Sequence, residues 1–175
     1  MVISFRLLLP PKLSASCDAR LFGQVCRYLI VGGYAVIFHA QPRFTRDIDL
    51  FIKADLANAQ ATYAAPAEFG AALQGIRPED FAERGSFFRF GRDPRGFDIL
   101  PDIPGVDFDA AWERRVEGVA DAKTGLKAFF ISSADLVAAK LAAGRPQDLA
   151  DVEAIRKAIE SQALQSAKAP GNERA

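Results

Sequence analysis

The sequence predicts a mixed α/β (α+β) fold, and three observations carry that expectation. Short apolar runs such as "YLIV" (28–31) and "DIDLFI" (47–52) have the length of buried strands. Longer stretches, "DLVAAKLAAG" (135–144) and the segment from Asp148 to Glu160, carry helical spacing. The two kinds of segment alternate along the chain, as they do when helices pack against a sheet.

The bulk numbers narrow the class further. A chain of 175 residues suits one ordinary domain and is too short for two comfortable ones. Half of it is hydrophobic, so a sizeable core is available. The 22 basic and 22 acidic residues balance, which argues against a general electrostatic grip on nucleic acid but leaves room for a local patch. Two cysteines, Cys17 and Cys26, make no disulfide framework, and the single histidine, His39, rules out a Cys/His metal cluster. The N-terminal "MVISFRLLLPPKLSASC" reads as no signal peptide, because its apolar stretch is short and Pro10-Pro11 breaks it. No apolar run approaches a membrane span, so a soluble cytoplasmic protein is expected.

Residues 1–16 read as an irregular arm, 17–162 as the domain and 163–175 as a frayed tail. Within the domain, 18–27 has Leu21, Phe22, Val25 and Cys26 at helical spacing. "YLIV" is a short strand ended by Gly32-Gly33, and 34–40 is a short buried helix. "QPRFT" turns the chain into the strand 47–52. The alanine-rich 56–73 is helical, interrupted by Pro66 and Gly70. A short helix over 77–85 precedes two strands, 86–91 and 97–103, joined by the turn "RDPRG" as a hairpin. Residues 106–119 are a helix, or a helix followed by a strand, and 126–132 is a last strand. Ser132 with Asp135 three residues on forms a capping box, Gly144 closes that helix and Pro146 opens the next. The last helix carries Leu149, Val152, Ile155 and Ile159 on one face.

The chemistry lies in "RDIDLFI". Residues i and i+2 of a strand share a face, so Asp47 and Asp49 point the same way while Ile48 and Leu50 point into the core. Two carboxylates so close repel, and without a cation at least one should have a raised pKa. A divalent ion removes the conflict, and Mg²⁺ prefers carboxylate oxygens together with substrate phosphates. Asp98, in the apolar "GFDIL", can face the same site if the two strands are neighbours. Three carboxylates around one or two Mg²⁺ ions suit in-line phosphoryl transfer from an NTP. Gly32-Gly33 lets backbone amides approach a phosphate, and the following helix aims its positive end at the same place.

"VGGYAVIFHAQPRFTRDIDLFI" resembles the DNA polymerase β-like nucleotidyltransferases, in which a Gly-Gly or Gly-Ser pair and a short helix precede Asp-hydrophobic-Asp, with a third Asp on a later strand. Gly32, Gly33, Asp47, Asp49 and Asp98 fill those positions. The chain is most similar to small bacterial nucleotidyltransferases related to the AbiEii-type toxins, whose later segment "DLVAAKLAAGRPQDLADVEAI" (135–155) also matches. The resemblance spans about residues 20 to 160. Ala40 replaces the glycine common after the helix histidine, a change at a turn. The resemblance implies a small mixed sheet flanked by helices, with the C-terminal helices packed on it. It implies Mg²⁺-dependent transfer of a nucleoside monophosphate from an NTP to an acceptor hydroxyl. Asp47 and Asp49 would bind metal; Asp98 would complete the site and help activate the hydroxyl.

Other residues have two readings. Arg46 reaches a triphosphate or points to solvent, and Arg43 has the same status. Lys140, on an apolar helix, contacts phosphate from a buried position or snorkels to the surface, and the resemblance implies a role near the nucleotide or in holding the C-terminal helices against the active site. Arg145 and Asp148 pair around the start of the last helix, where Asp148 and Asp151 also suit the helix dipole. His39 reads as a satisfied structural residue, and Trp112 as core. Analogy sets the acceptor as RNA, such as a tRNA end modified by the toxin of a toxin–antitoxin pair, with an antitoxin as partner. The rivals are a small-molecule transferase acting on a cationic antibiotic, with Glu79, Asp80, Glu83 and Asp102 supplying an acidic pocket; a protein-modifying transferase; and a binding module that has lost turnover.

Overall fold

A computed structural model of the protein describes residues 26–68, 72–92, 95–121 and 126–168. The expected arm 1–16 and most of the expected helix 18–27 lie outside the described residues. Six strands form one mixed sheet. They are β1 (Tyr28–Val31), β2 (Ile48–Ile52), β3 (Phe88–Arg92), β4 (Arg95–Leu100), β5 (Val116–Asp121) and β6 (Leu126–Phe130), in the spatial order β3-β4-β2-β1-β6-β5. β1 runs antiparallel to β2 and parallel to β6, β2 runs parallel to β4, and the hairpins β3–β4 and β5–β6 close the two edges. The helices are α1 (Gly32–His39), α2 (Leu56–Glu68), α3 (Phe108–Glu113), α4 (Ser133–Ala143) and α5 (Pro146–Lys168), with a 3-10 turn over Pro78–Ala82.

Local chemistry accounts for most boundaries. β1 ends where Gly32 takes φ +59, a left-handed conformation that glycine adopts without strain. Ser132 caps α4: its hydroxyl accepts from the Asp135 amide at 3.1 Å and donates to the Asp135 carboxylate at 2.6 Å. Gly144 ends α4 at φ +67, its amide bonding back to the Lys140 carbonyl. The segment 106–119 resolves into its second alternative, a helix and then a strand. The helix expected over 77–85 is a shorter 3-10 turn, and α2 runs through Pro66, which removes one backbone donor in the last turn. α5 continues past residue 162, where the tail is expected to begin, because neither glycine nor proline interrupts it before Pro170.

Two apolar clusters hold the sheet. The larger joins Leu29, Val31, Phe51, Phe108, Trp112, Leu136 and Ile155, tying the central strands to α3, α4 and α5. The smaller joins Ile52, Ala59, Phe81, Phe90 and Ile99, seating α2 and the 3-10 turn on the other end of the sheet. Of the four residues expected on one face of α5, Val152 and Ile155 are buried but Leu149 and Ile159 are exposed. The buried face includes Asp148 and Asp151 instead. Positions 148, 151, 152 and 155 follow helical spacing, so two carboxylates take inward places that the apolar pattern assigned elsewhere.

Candidate active site

At one end of the sheet the chain turns from β1 into α1 beside the start of β2. Val31 pairs with Asp49, and Asp49 pairs with Asp98 across the parallel β2–β4 contact. The same register sets Ile48 beside Phe97, so Asp47 stands next to Gly96. A Cβ at Gly96 would fall 2.7 Å from Asp47 Oδ1, and one at Gly32 would fall 1.8 Å from Asp49 Oδ2. Both glycines are therefore fitted against an acid. Asp47 and Asp49 share a face through strand alternation, and the parallel pairing of β2 with β4 meets the condition under which Asp98 joins them.

Their electrostatics are uneven. Burial, then the charge of Asp98, raises the Asp49 pKa to about 6, against opposing contributions from the Gly33 amide and Lys140. The positive partner sought by the acids is present in part as a side chain. Arg89 on β3 pairs in register with Asp98 and donates to both of its oxygens, Nε to Oδ1 at 2.8 Å and Nη2 to Oδ2 at 2.7 Å. The same Nη2 stands 3.5 Å from Asp47 Oδ2. Sequence reading missed Arg89. The available signal was a lone arginine alternating with Phe88 and Phe90 in a strand hairpinned to the Asp98 strand.

The Gly-Gly turn is tied to the rest of the site. A Cβ on Gly33 would meet Thr45 Oγ1 at 2.4 Å and Arg43 Nη2 at 3.1 Å, so the loop before β2 lies directly on the turn. Arg43 also donates to Asp151 of α5 at 3.1 Å. Arg46 is exposed and lies over the Phe44 ring, 5.8 Å from its centroid. Tyr34 of α1 is pushed up to about 12 by burial and then by the charge of Asp47. His39 donates from Nε2 to the Ile131 carbonyl at 2.7 Å, and burial lowers its pKa. That is the structural role read from the sequence.

Behind the turn, Lys140 is buried between α4 and α5, its Nζ 2.9 Å from Asp148 Oδ1 and 2.7 Å from Asp151 Oδ2. Arg145 adds a bond from Nε to Asp148 Oδ2 at 2.6 Å. Burial pushes the Asp148 carboxyl up, but its bonds to Arg145 and Lys140 outweigh this and leave it below the usual range. Lys140 is thus enclosed by aspartates, and its charge still reaches Asp49. Two of the acids considered for a cationic pocket are engaged by backbone amides. Asp80 accepts from the Arg77 amide, Asp102 accepts from the Gly85 amide, and Glu79 and Glu83 are exposed.

The acid cluster suits a hard divalent ion: carboxylate oxygens, more negative charge than one guanidinium offsets, and one acid whose ionisation is opposed. As placed, Asp98 turns both oxygens to Arg89, and among the described residues no three Asp, Glu, His or Cys side chains converge closely enough to ligate one ion.

A family model described as "Nucleotidyltransferase of unknown function (DUF6036)" matches residues 18–167. Among solved structures, the chain is similar to a lincosamide antibiotic adenylyltransferase, LnuA, in its lincomycin-bound form. The likeness has a TM-score of 0.52 and 17% identity over 86% of this chain and 98% of that one, which establishes a shared fold. A search of curated proteins finds no match.

Proposed function

The chain therefore belongs to this nucleotidyltransferase family, and on that premise we propose that it moves a nucleoside monophosphate from an NTP to an acceptor hydroxyl with Mg²⁺. The observation that carries the proposal is the register Val31–Asp49–Asp98, with Asp47 on the same face, at the mouth of the Gly32-Gly33 turn. Asp47, Asp49 and Asp98 would hold one or two Mg²⁺ ions. Bound there, Mg²⁺ supplies charge neutralisation for the phosphates and lowers the pKa of an oxygen nucleophile.

The chain's own groups have separate tasks. The Gly32 amide and the start of α1 would present backbone donors to the phosphates, while the Gly33 amide bonds to Asp49. Arg46, exposed on the adjoining loop, would supply positive charge at the edge. Lys140 contributes positive potential from behind Asp49. Asp98 Oδ accepts the proton of the acceptor hydroxyl as its oxygen bonds to the α-phosphorus. The bond to the departing pyrophosphate breaks in the same displacement.

The acceptor we favour is RNA, in the manner of a toxin of a toxin–antitoxin pair, held in check by an antitoxin protein in the cytoplasm. The segments 28–52 and 135–155 support this through their likeness to AbiEii-type proteins. The second reading is a small-molecule acceptor, supported by the fold shared with an adenylyltransferase of lincosamide antibiotics. A protein acceptor would be a third outcome. No described helix is long and apolar enough to cross a membrane.

The test supplies each α-labelled NTP separately with total RNA, a protein extract or a panel of antibiotics. Wild type is compared with Asp47→Asn/Asp49→Asn. Mg²⁺-dependent label in one acceptor pool, lost in the variant, is expected. Label that persists in the variant would remove the aspartates from the chemistry.

A further inference from the structure

Among the described residues, Arg89 is the cation that pairs directly with the site's acids. It sits on edge strand β3, and its guanidinium takes both oxygens of Asp98 in a fork, the strongest geometry for such a pair. It also stands 3.5 Å from Asp47. One side chain thus bridges two of the three acids proposed to bind metal. Any ion drawing on Asp98 and Asp47 together meets a fixed positive charge between them, and like charges so placed repel.

Arg89 is also placed to leave. Its side chain is 59% exposed, and its guanidinium lies 5.4 Å from the centroid of Phe87, itself 54% exposed on the same rim. An aromatic face supports a guanidinium once a carboxylate releases it. A triphosphate arriving at the Gly-Gly turn offers that planar guanidinium pairs of phosphate oxygens to take in a bidentate fork.

Resting on the reading above, we infer that Arg89 competes with the divalent ion for Asp98 and Asp47, so that metal binding is weak alone and strong with nucleotide. Nucleotide draws the guanidinium off the acids and the ion replaces it. By linkage, each ligand tightens the other through this one side chain. The opposite role, in which Arg89 orients Asp98 for ligation, predicts the opposite sign: removing Arg89 would then loosen the metal.

The experiment measures Mn²⁺ affinity from the free-ion paramagnetic resonance signal, with and without an ATP analogue carrying a methylene between its α and β phosphates. Wild type, Arg89→Gln, Arg89→Lys and Asp49→Asn are compared. Arg89→Gln is expected to bind Mn²⁺ alone about tenfold more tightly than wild type, within the usual range of coupling between sites. The analogue's tightening of Mn²⁺, large in wild type, should shrink in Arg89→Gln. Arg89→Lys, which keeps the charge without the fork, should fall between. Equal or weaker Mn²⁺ binding in Arg89→Gln overturns the inference and leaves the metal site standing, provided that Asp49→Asn abolishes the binding. No saturable Mn²⁺ binding in any form, with or without analogue, overturns both. Arg89 is largely exposed on an edge strand, and an unchanged thermal midpoint checks that its variants remain folded.

Discussion

Two charged regions lie within reach of Asp49, and they are built in opposite ways. Between α4 and α5, Asp148 and Asp151 are almost fully buried, yet each is bonded to Lys140 and to an arginine, Arg145 or Arg43. At one end of the sheet, Asp47 and Asp98 share Arg89, and among the described residues Asp49 forms no ion pair. The contrast shows in the carboxyls. Asp148 is held below the usual range although burial opposes this, whereas Asp49 is raised to about 6 by burial and by Asp98. A buried charge network that satisfies itself is a fastener. One left with excess charge of a single sign is arranged for something that comes and goes.

The largest effect that could break this comparison is on chemistry. Asp47→Asn/Asp49→Asn should lower nucleotidyl transfer at least about a thousandfold, or about 4 kcal/mol of transition-state stabilisation. Its urea midpoint should not fall, because repulsion is being removed. A variant that lost activity by unfolding would show instead that the acids are structural. The second effect is on stability. Lys140→Met leaves Asp148 and Asp151 buried without their shared ammonium. Breaking a buried pair costs about 3–5 kcal/mol, and the surviving arginines place this case at the lower end. Denaturant titration reads it directly, and an unaffected midpoint would mean that Lys140 is not the fastener's centre.

The sequence makes one of the two regions far more legible than the other. The acid pair follows from strand alternation, and the strand itself from "DIDLFI". Gly144 and Ser132 mark the ends of α4 because capping chemistry is local. What local chemistry cannot give is pairing between distant strands. That Asp98 sits beside Asp49 depends on β2 and β4 running parallel, with β4 arriving through a hairpin. The α4–α5 network is legible in part: the pairing of Arg145 with Asp148 is present, while Leu149 and Ile159, expected on one face with Val152 and Ile155, are exposed. The actual face turns Asp148 and Asp151 inward to meet Lys140. Its partner lies on another helix, so no periodicity within α5 reveals it.

The third test uses pH, where the regions should respond with opposite sign. Asp49 has a folded pKa above its unfolded one, so its favourable contribution is complete below about pH 4 and is lost as pH rises through about 6. In metal-free protein, Asp49→Asn removes that loss and should stabilise at pH 7.5 on the order of 2 kcal/mol, with little effect at pH 4. Asp148 has a folded pKa below its unfolded one. Its contribution is present above the ordinary carboxylate range and is lost on acidification through the lowered value. Thermal midpoints of wild type and Asp49→Asn across pH 3 to 8 separate the two limbs. Parallel curves at all pH values would show that Asp49 is not strained.

The smallest effect tests which cation closes the network. Arg145 and Lys140 both bond Asp148, but Arg145 is 76% exposed and Lys140 only 7%. Water screens the arginine and competes for its carboxylate, so the bond at 2.6 Å does not translate into strength. Arg145→Gln should cost less than about 1 kcal/mol, while Lys140→Met costs several times more. A double-mutant cycle on the two should show coupling, since each removes part of the compensation for the same carboxylate. If Arg145→Gln matched Lys140→Met, stability would depend on the exposed rim. The division between a closed fastener and an open, ligand-ready cluster would then have to be drawn elsewhere.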